Sequence, residues 1–474
     1  MLSASVFLAE VDVGLGALTH LRCSSAGVVA IDPALRPHAG EPVVDCAGGR
    51  VLHGLHDHHL HLLSSAARTS SLDLGQLPSS ASDTLATVLS RLVAHAATLA
   101  PGAWVRAVGF DERRAGWLDL AQLDLVMPDR PARVQHRSGH AWLANTAALQ
   151  ALSTTGGVRT NPARHSDLPP GWVLDDATDW GPQARAPLDL AGVGRSLSDA
   201  GITGVTDATP QVGAAGLLAI DQARCNGLLP QHVTMMCDSP ELPPSVLRGP
   251  VKVLLPADTE LAAATLGRSL AAARSRGLPV AVHCVTAEQL ILTLAALDIA
   301  GLKSGDRIEH ASVAPYALLP ELARRGLTVV TQPAFVFDRG DAYLADHELD
   351  PRELYRLRSL LDAGVALLAG SDAPFGRADP WHAMRSAVMR RTASRALLGP
   401  REALDVGQAL RLFSRPGTTS RALVAPDSVV RVGDRADLCV LQTRWPVAVD
   451  ELDQSLVGTT IIQGRVIHQG GRAA

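Results

Sequence analysis

Lysine is almost missing from this 474-residue chain: only Lys252 and Lys303 occur, and every other basic residue is arginine. The bias itself carries no chemistry, but a lysine kept inside the apolar run Val251-Lys252-Val253-Leu254-Leu255 needs a reason. Aromatic residues are scarce, at 3%. The six cysteines (Cys23, Cys46, Cys225, Cys237, Cys284 and Cys439) lack any C-x-x-C spacing, so they read as reduced core thiols of a cytoplasmic protein. No stretch is long and apolar enough to span a bilayer. The start, Met1 to Leu8, has no basic segment and Glu10 interrupts it, so it reads as a strand and not as a signal peptide. Excess positive charge is missing too. A formal net charge of -4 argues against a nucleic-acid binder or a polybasic membrane binder.

What is present is material for a large core. Hydrophobic residues make up 47% of the chain, which excludes a disordered chain. The length suits a barrel of about 250 residues with extra modules. Short apolar runs alternate with helical patterns from about residue 200 onward: Thr203–Thr206, Val233–Met236, Val251–Leu255, Val280–Val282, Arg307–Ile308, Leu327–Val330 and Val365–Ala369. With the run at 51–55 they make eight, and eight strand–helix repeats predict an α/β fold built on a parallel (β/α)8 TIM barrel. The barrel domain is expected over 51–424. Residues 62 to about 200 fall outside the rhythm and read as an inserted subdomain after the first barrel strand, able to cap its mouth. A helix is expected near 84–99, with strands at Trp104–Gly109 and Arg133–His136. Residues 1–50 and 425–474, rich in valine, threonine and turn residues, read as the two halves of a small β-sandwich.

Several connecting helices carry their own punctuation. Thr286-Ala287-Glu288-Gln289 predicts a capping box, and the helix from Glu260 to Arg276 is expected to stop at Gly277. Polar residues directly after the strands therefore fall at the C-terminal mouth, where barrel enzymes keep their active sites.

The most informative stretch is His53-Gly54-Leu55-His56-Asp57-His58-His59-Leu60-His61. In an extended chain, side chains at i and i+2 share a face, so one strand end can aim His59 and His61 at one point. Imidazole suits zinc-type metals. A lone H-x-H is weak, since a histidine-rich loop or core explains it equally well. Further candidates stand at other strand ends: His283 after Val280–Val282, His310 after Arg307–Glu309, and Asp372 after Leu367–Ser371. Singly, each histidine could be structural and Asp372 could cap a helix. Jointly, with Lys252, they converge on one rim.

That order of His, His, Lys, His, His and Asp resembles the dinuclear members of the amidohydrolase superfamily, and Gly54 to His61 resembles the superfamily's opening motif. The resemblance implies that His59, His61, Lys252, His283, His310 and Asp372 hold one or two divalent metal ions, expected to be Zn2+. It further implies that Lys252 carries CO2 as a carbamate bridging them. Lysine suits this role because burial shifts its pKa readily, whereas arginine stays protonated. Val108–Glu112, Pro128–Pro131, Arg137-Ser138-Gly139-His140 with Asn145, Gly370–Pro374 and Gly433–Leu438 are similar to the N-substituted formamide deformylase-like branch, amidohydrolase family 3. Residue 53 is histidine where that family has proline, and His56 and His58 add imidazoles beside the ligands.

The implied activity is hydrolysis of a non-peptide C–N bond (an amide, N-acyl or N-formyl group) by metal-activated water. Asp372 would be ligand and general base, and His140 or Arg137 would polarise the carbonyl oxygen. Ester or lactone hydrolysis or deamination would suit the same site, and a metal-free scaffold is the non-enzymatic alternative. The expected partners are a small-molecule substrate and a second copy of the chain, with neither nucleic acid nor membrane. Trp142, Trp381, Phe335 and Phe337 are candidates for an apolar pocket, with core packing the competing role.

Overall fold

The computed structural model describes residues 5–75, 84–139, 141–153, 170–174, 187–256, 259–416 and 423–470. The chain divides into two compact units, one made of Met1–Leu62 with Leu190–Ala474 and one of Leu63–Asp189.

Eight parallel strands organise the larger unit: β1 (Leu55–Leu60), β2 (Ile202–Asp207), β3 (His232–Met235), β4 (Val251–Val253), β5 (Val280–Cys284), β6 (Arg307–His310), β7 (Thr328–Thr331) and β8 (Ala366–Ala369). They form two sheets. One runs β1, β2, β3 and the short strand Leu247–Arg248; the other runs β4, β5, β6, β7, β8. Their pairings are parallel throughout. Backbone bonds link the sheets at both margins. Lys252 N donates to Met236 O at 2.8 Å, and Asp372 N donates to His59 O at 2.6 Å. The runs are apolar without alternation because each strand is covered on both faces; all six residues of β1, histidines included, are buried.

The first expected run, 51–55, proves to be two strands in different sheets. Val51–His53 pairs antiparallel with Leu438–Leu441, and β1 begins at Leu55. The changeover falls at Gly54, whose N donates to Asp437 O at 2.8 Å. A Cβ there would run into the Thr203 side chain on β2, so the close approach of the two strands demands glycine.

Two antiparallel-rich sheets lie at the chain ends. Gly27–Ile31, Leu18–Ser24, Val6–Asp12 and Val43–Asp45 form the first; Arg465–Gln469, Val457–Ile462, Leu438–Leu441 and Val51–His53 form the second. Val6, Leu8, Leu21 and Val44 of one join Leu438, Val440 and Ile461 of the other in a single apolar cluster. The helices obey their punctuation. Thr286 and Gln289 form the capping box of helix Ala287–Ala300. Helix Thr259–Ser275 ends before Gly277 at φ +65°, where Leu278 N reaches back to Ala273 O at 2.9 Å.

The smaller unit carries a five-stranded sheet in the order Trp172–Leu174, Ala141–Ala144, Ala132–His136, Val105–Phe110 and Leu72–Asp73, with helix Thr84–Thr98. The expected helix and both expected strands are present. All six cysteines are free thiols. Five are buried, and Cys225 is exposed at the end of helix Gly213–Cys225, contrary to the core position expected for it. No helix among the described residues is long and apolar enough to cross a membrane.

Candidate metal centre

The ends of β1 and β8 build the centre. His59 lies in β1 and His61 one residue beyond it; Asp372 follows β8. His59 Nε2 lies 3.4 Å and His61 Nε2 3.3 Å from the same atom, Asp372 Oδ1. One ligand atom from each residue falls within 4.8 Å of the others. The remaining candidates form an arc around this group. Lys252 Nζ is 3.3 Å from His59 Nε2. The His310 ring stands 4.7 Å from that of His59, and the His283 ring 4.4 Å from that of His310.

Three of the imidazoles are oriented through a far nitrogen. His59 Nδ1 makes a short contact with Glu309 Oε2. His61 Nδ1 lies 3.1 Å from Thr209 Oγ1, and His310 Nδ1 lies 2.7 Å from Gln332 Oε1. Such partners fix tautomer and ring plane, as around metal-ligating histidines generally, and leave Nε2 of His59 and His61 for the centre. Two buried carboxylates hold the backbone. Asp57 Oδ1 accepts from His59 N at 3.1 Å and Ser371 N at 3.0 Å, tying β1 to the end of β8. Asp207 accepts from Leu62 N at 2.7 Å and Thr209 N at 2.9 Å, bracketing His61.

Burial favours neutral imidazoles at His59 and His310 beside an ionised carboxylate. Burial, reinforced by Lys252, pushes His59 down to about 3; burial pushes His310 down to about 4. Burial also lowers Lys252 to about 8, raising its neutral fraction near pH 7. Burial alone would raise Asp372, but the hydrogen bond from His61 and the facing imidazoles outweigh it and hold the carboxylate well below its usual range. Glu309 behaves similarly: Arg307 and His59 overcome its burial. Lone-pair nitrogens and an ionised carboxylate are what a divalent cation requires, so the donor set fits a zinc-type ion. Asp372 and His310 adopt φ of +55° and +72°. Such left-handed geometry costs roughly 1–3 kcal/mol per residue and persists where surrounding contacts impose it.

Arg137 belongs to the smaller unit, where its N donates to Phe110 O at 2.8 Å and its Nε lies 3.3 Å from Asp111 Oδ1. His140 falls outside the described residues. Trp142 and Trp381 are packing residues. Trp142 is buried against Val108 and Val173 beneath Arg133, and Trp381 is fully buried with Nε1 donating to Ala200 O at 3.1 Å. Phe335 is buried under the Arg339 guanidinium, while Phe337 stands against the His382 ring at 5.1 Å. His56 and His58 are buried beside one another at 4.4 Å between ring centres. They bond Thr206 Oγ1 and Ser414 O, not the centre. His53 lies in the terminal sheet beside Arg415 and Asp434.

The sequence assigned no role to Glu309, Asp57, Asp207 or Thr209. The available signal was charge inside an apolar strand: Arg307 and Glu309 share a face of β6 by their spacing of two, and buried charges must be paired.

Comparison with known proteins agrees with this architecture. The amidohydrolase family profile matches residues 42–468. An N-substituted formamide deformylase of Arthrobacter pascens is 27% identical, with 89% of each chain covered. A metal-dependent hydrolase structure from Pyrococcus horikoshii superposes with TM-score 0.68 at 19% identity, over 98% of this chain and all of that one. Another from Pyrococcus furiosus gives 0.62 at 20% identity, over 86% and 93%. The two structural likenesses speak for the fold alone. With the family profile spanning most of its length, the chain belongs to the amidohydrolase family and is an enzyme.

Proposed function

We propose that this enzyme is a metal-dependent hydrolase of a C–N bond in a small non-peptide amide, N-acyl or N-formyl compound. The single observation that carries the proposal is the convergence of His59 Nε2, His61 Nε2 and Asp372 Oδ1 on one point. The family membership and the deformylase relative supply the bond class. We read β1 to β8 as one closed barrel, supported by the backbone bonds at both sheet margins, and the two terminal sheets as a sandwich around their shared cluster.

His59, His61 and Asp372 would hold a divalent ion, proposed to be zinc, with Lys252, His283 and His310 on the adjoining arc. Such an ion supplies a Lewis acid and lowers the pKa of water toward neutrality. Asp372 would orient a water through its carboxylate, accept its proton and pass it to the leaving nitrogen. The backbone bond from Asp372 N to His59 O holds that carboxylate beside both rings. Glu309 and Thr209 keep both rings fixed, so the constellation needs little reorganisation during reaction.

The experiment pairs elemental analysis of purified enzyme with turnover of N-acyl and N-formyl amines by wild type and Asp372→Asn. Stoichiometric divalent metal, and a loss of kcat of about 100-fold or more in Asp372→Asn, support the proposal. A metal-free protein, or unchanged turnover in the variant, overturns it.

A further inference from the structure

We infer that Phe375 is a specificity-determining residue: a fixed aromatic wall beside the centre that favours amides with an apolar substituent next to the scissile bond. The inference rests on the hydrolase reading above and adds the substrate class. The Phe375 ring meets the His61 ring edge-on, with centres 5.6 Å apart. It is half-buried, in contrast to the buried Phe335 nearby. An aromatic ring left partly open to water forgoes roughly 25 cal/mol per Å² of burial, and a substrate entering beside His61 would recover it.

The backbone that carries the ring is tied to its surroundings. Phe375 N donates to Asp372 O at 2.8 Å and Gly376 N donates to the same oxygen at 3.2 Å. On the other side Arg339 donates to Phe375 O at 3.0 Å while its guanidinium lies 3.5 Å from the Phe335 ring centre. A Cβ at position 376 would fall on Ser371 O, so the turn after Asp372 is closely packed as well as hydrogen-bonded. The backbone that places the proposed base therefore also places the aromatic ring. A rigid apolar surface discriminates by desolvation: it takes alkyl or aryl groups and rejects a carboxylate, which loses hydration without gaining a partner.

The test compares N-formyl and N-acetyl derivatives of cyclohexylamine with those of glycine, using metal-loaded wild type, F375L and F375A. Metal content and melting temperature are measured on each. The wild type is expected to prefer the cyclohexyl compounds in kcat/KM. F375A should lose about 10-fold or more of that preference and F375L less, with metal content equal to wild type. Binding of N-cyclohexylmethanesulfonamide, which has no carbonyl to hydrolyse, should raise the melting temperature of wild type more than that of F375A. Wild-type turnover with the preference intact in F375A overturns this inference alone. Failure of metal-loaded wild type to hydrolyse any of the four compounds overturns the hydrolase reading together with it.

Discussion

His59 Nδ1 and Glu309 Oε2 form a fully buried contact between β1 and β6, and Arg307 neutralises the same carboxylate from two residues away on β6. The carboxylate thus has two tasks, orienting an imidazole and balancing a guanidinium. Glu309→Gln retains the shape and removes the charge. We expect divalent-metal affinity to fall about 10- to 100-fold, the effect typical of removing a partner behind a metal ligand, read by competition with a chromophoric chelator. We also expect a loss of stability on the order of 3 kcal/mol in denaturant melts, because Arg307 is left as an uncompensated buried charge. Unchanged metal affinity would show that the carboxylate does not orient His59 for metal.

Lys252 gives a second prediction. Its amine is buried, pushed down to about 8, and 3.3 Å from His59 Nε2. A neutral amine can add CO2, whereas arginine remains protonated and cannot. Enzyme prepared with 13C-bicarbonate and metal should show a carbamate carbonyl signal by NMR that is missing in Lys252→Arg. Depleting CO2 during metal loading should lower the metal-to-protein ratio, and bicarbonate should restore it. A wild-type spectrum without that signal, with metal bound in full, would leave Lys252 as a plain amine.

The candidate centre was largely legible because strand ends announce themselves: an apolar run followed by His59, His310 or Asp372 locates a polar side chain at one rim. Glu309 and Asp207 were less visible because their meaning lies in partners on neighbouring strands, which a one-dimensional pattern does not provide. The division at Gly54 escaped for a related reason. Val51–His53 and Leu55–Leu60 read as one run in sequence, and only their partners on different sheets separate them. The histidine count misled in the opposite direction. His56 and His58 look like ligands by type, yet period-two alternation turns them from the face that carries His59 and toward Thr206 and Ser414.

His53 provides a pH prediction. Burial first, then Arg415, pushes it down to about 4 despite the nearby Asp434; Arg50 contributes in the same direction as Arg415. A histidine with a folded pKa below its unfolded value of about 6.5 is neutral in the fold and binds a proton more readily when unfolded. Its contribution is therefore fully present above about pH 6.5 and is lost as pH falls toward 4. At 1.36 kcal/mol per pH unit this amounts to roughly 3 kcal/mol. Below pH 4.5 the Glu41 carboxylate, held down to about 2 by Arg22, adds a further loss of the same sign. Urea melts between pH 4 and 8 should show the first loss in wild type and a flatter profile in His53→Asn. Parallel profiles would show that His53 does not contribute to the acid sensitivity.

Gly54 is required for space. Its φ is not positive, and what forbids a side chain is Thr203 on β2, which a Cβ would strike. Gly54→Ala should destabilise the larger unit by about 1–3 kcal/mol through overpacking. Thr203→Gly removes the obstructing side chain at a separate cost in strand propensity. If steric conflict is the cause, the double variant is more stable than the sum of the single effects by about 1 kcal/mol or more, the coupling expected of residues in contact. Chemical denaturation of all four proteins closes that cycle. Additive effects would mean that Gly54 serves the changeover between sheets by its backbone alone.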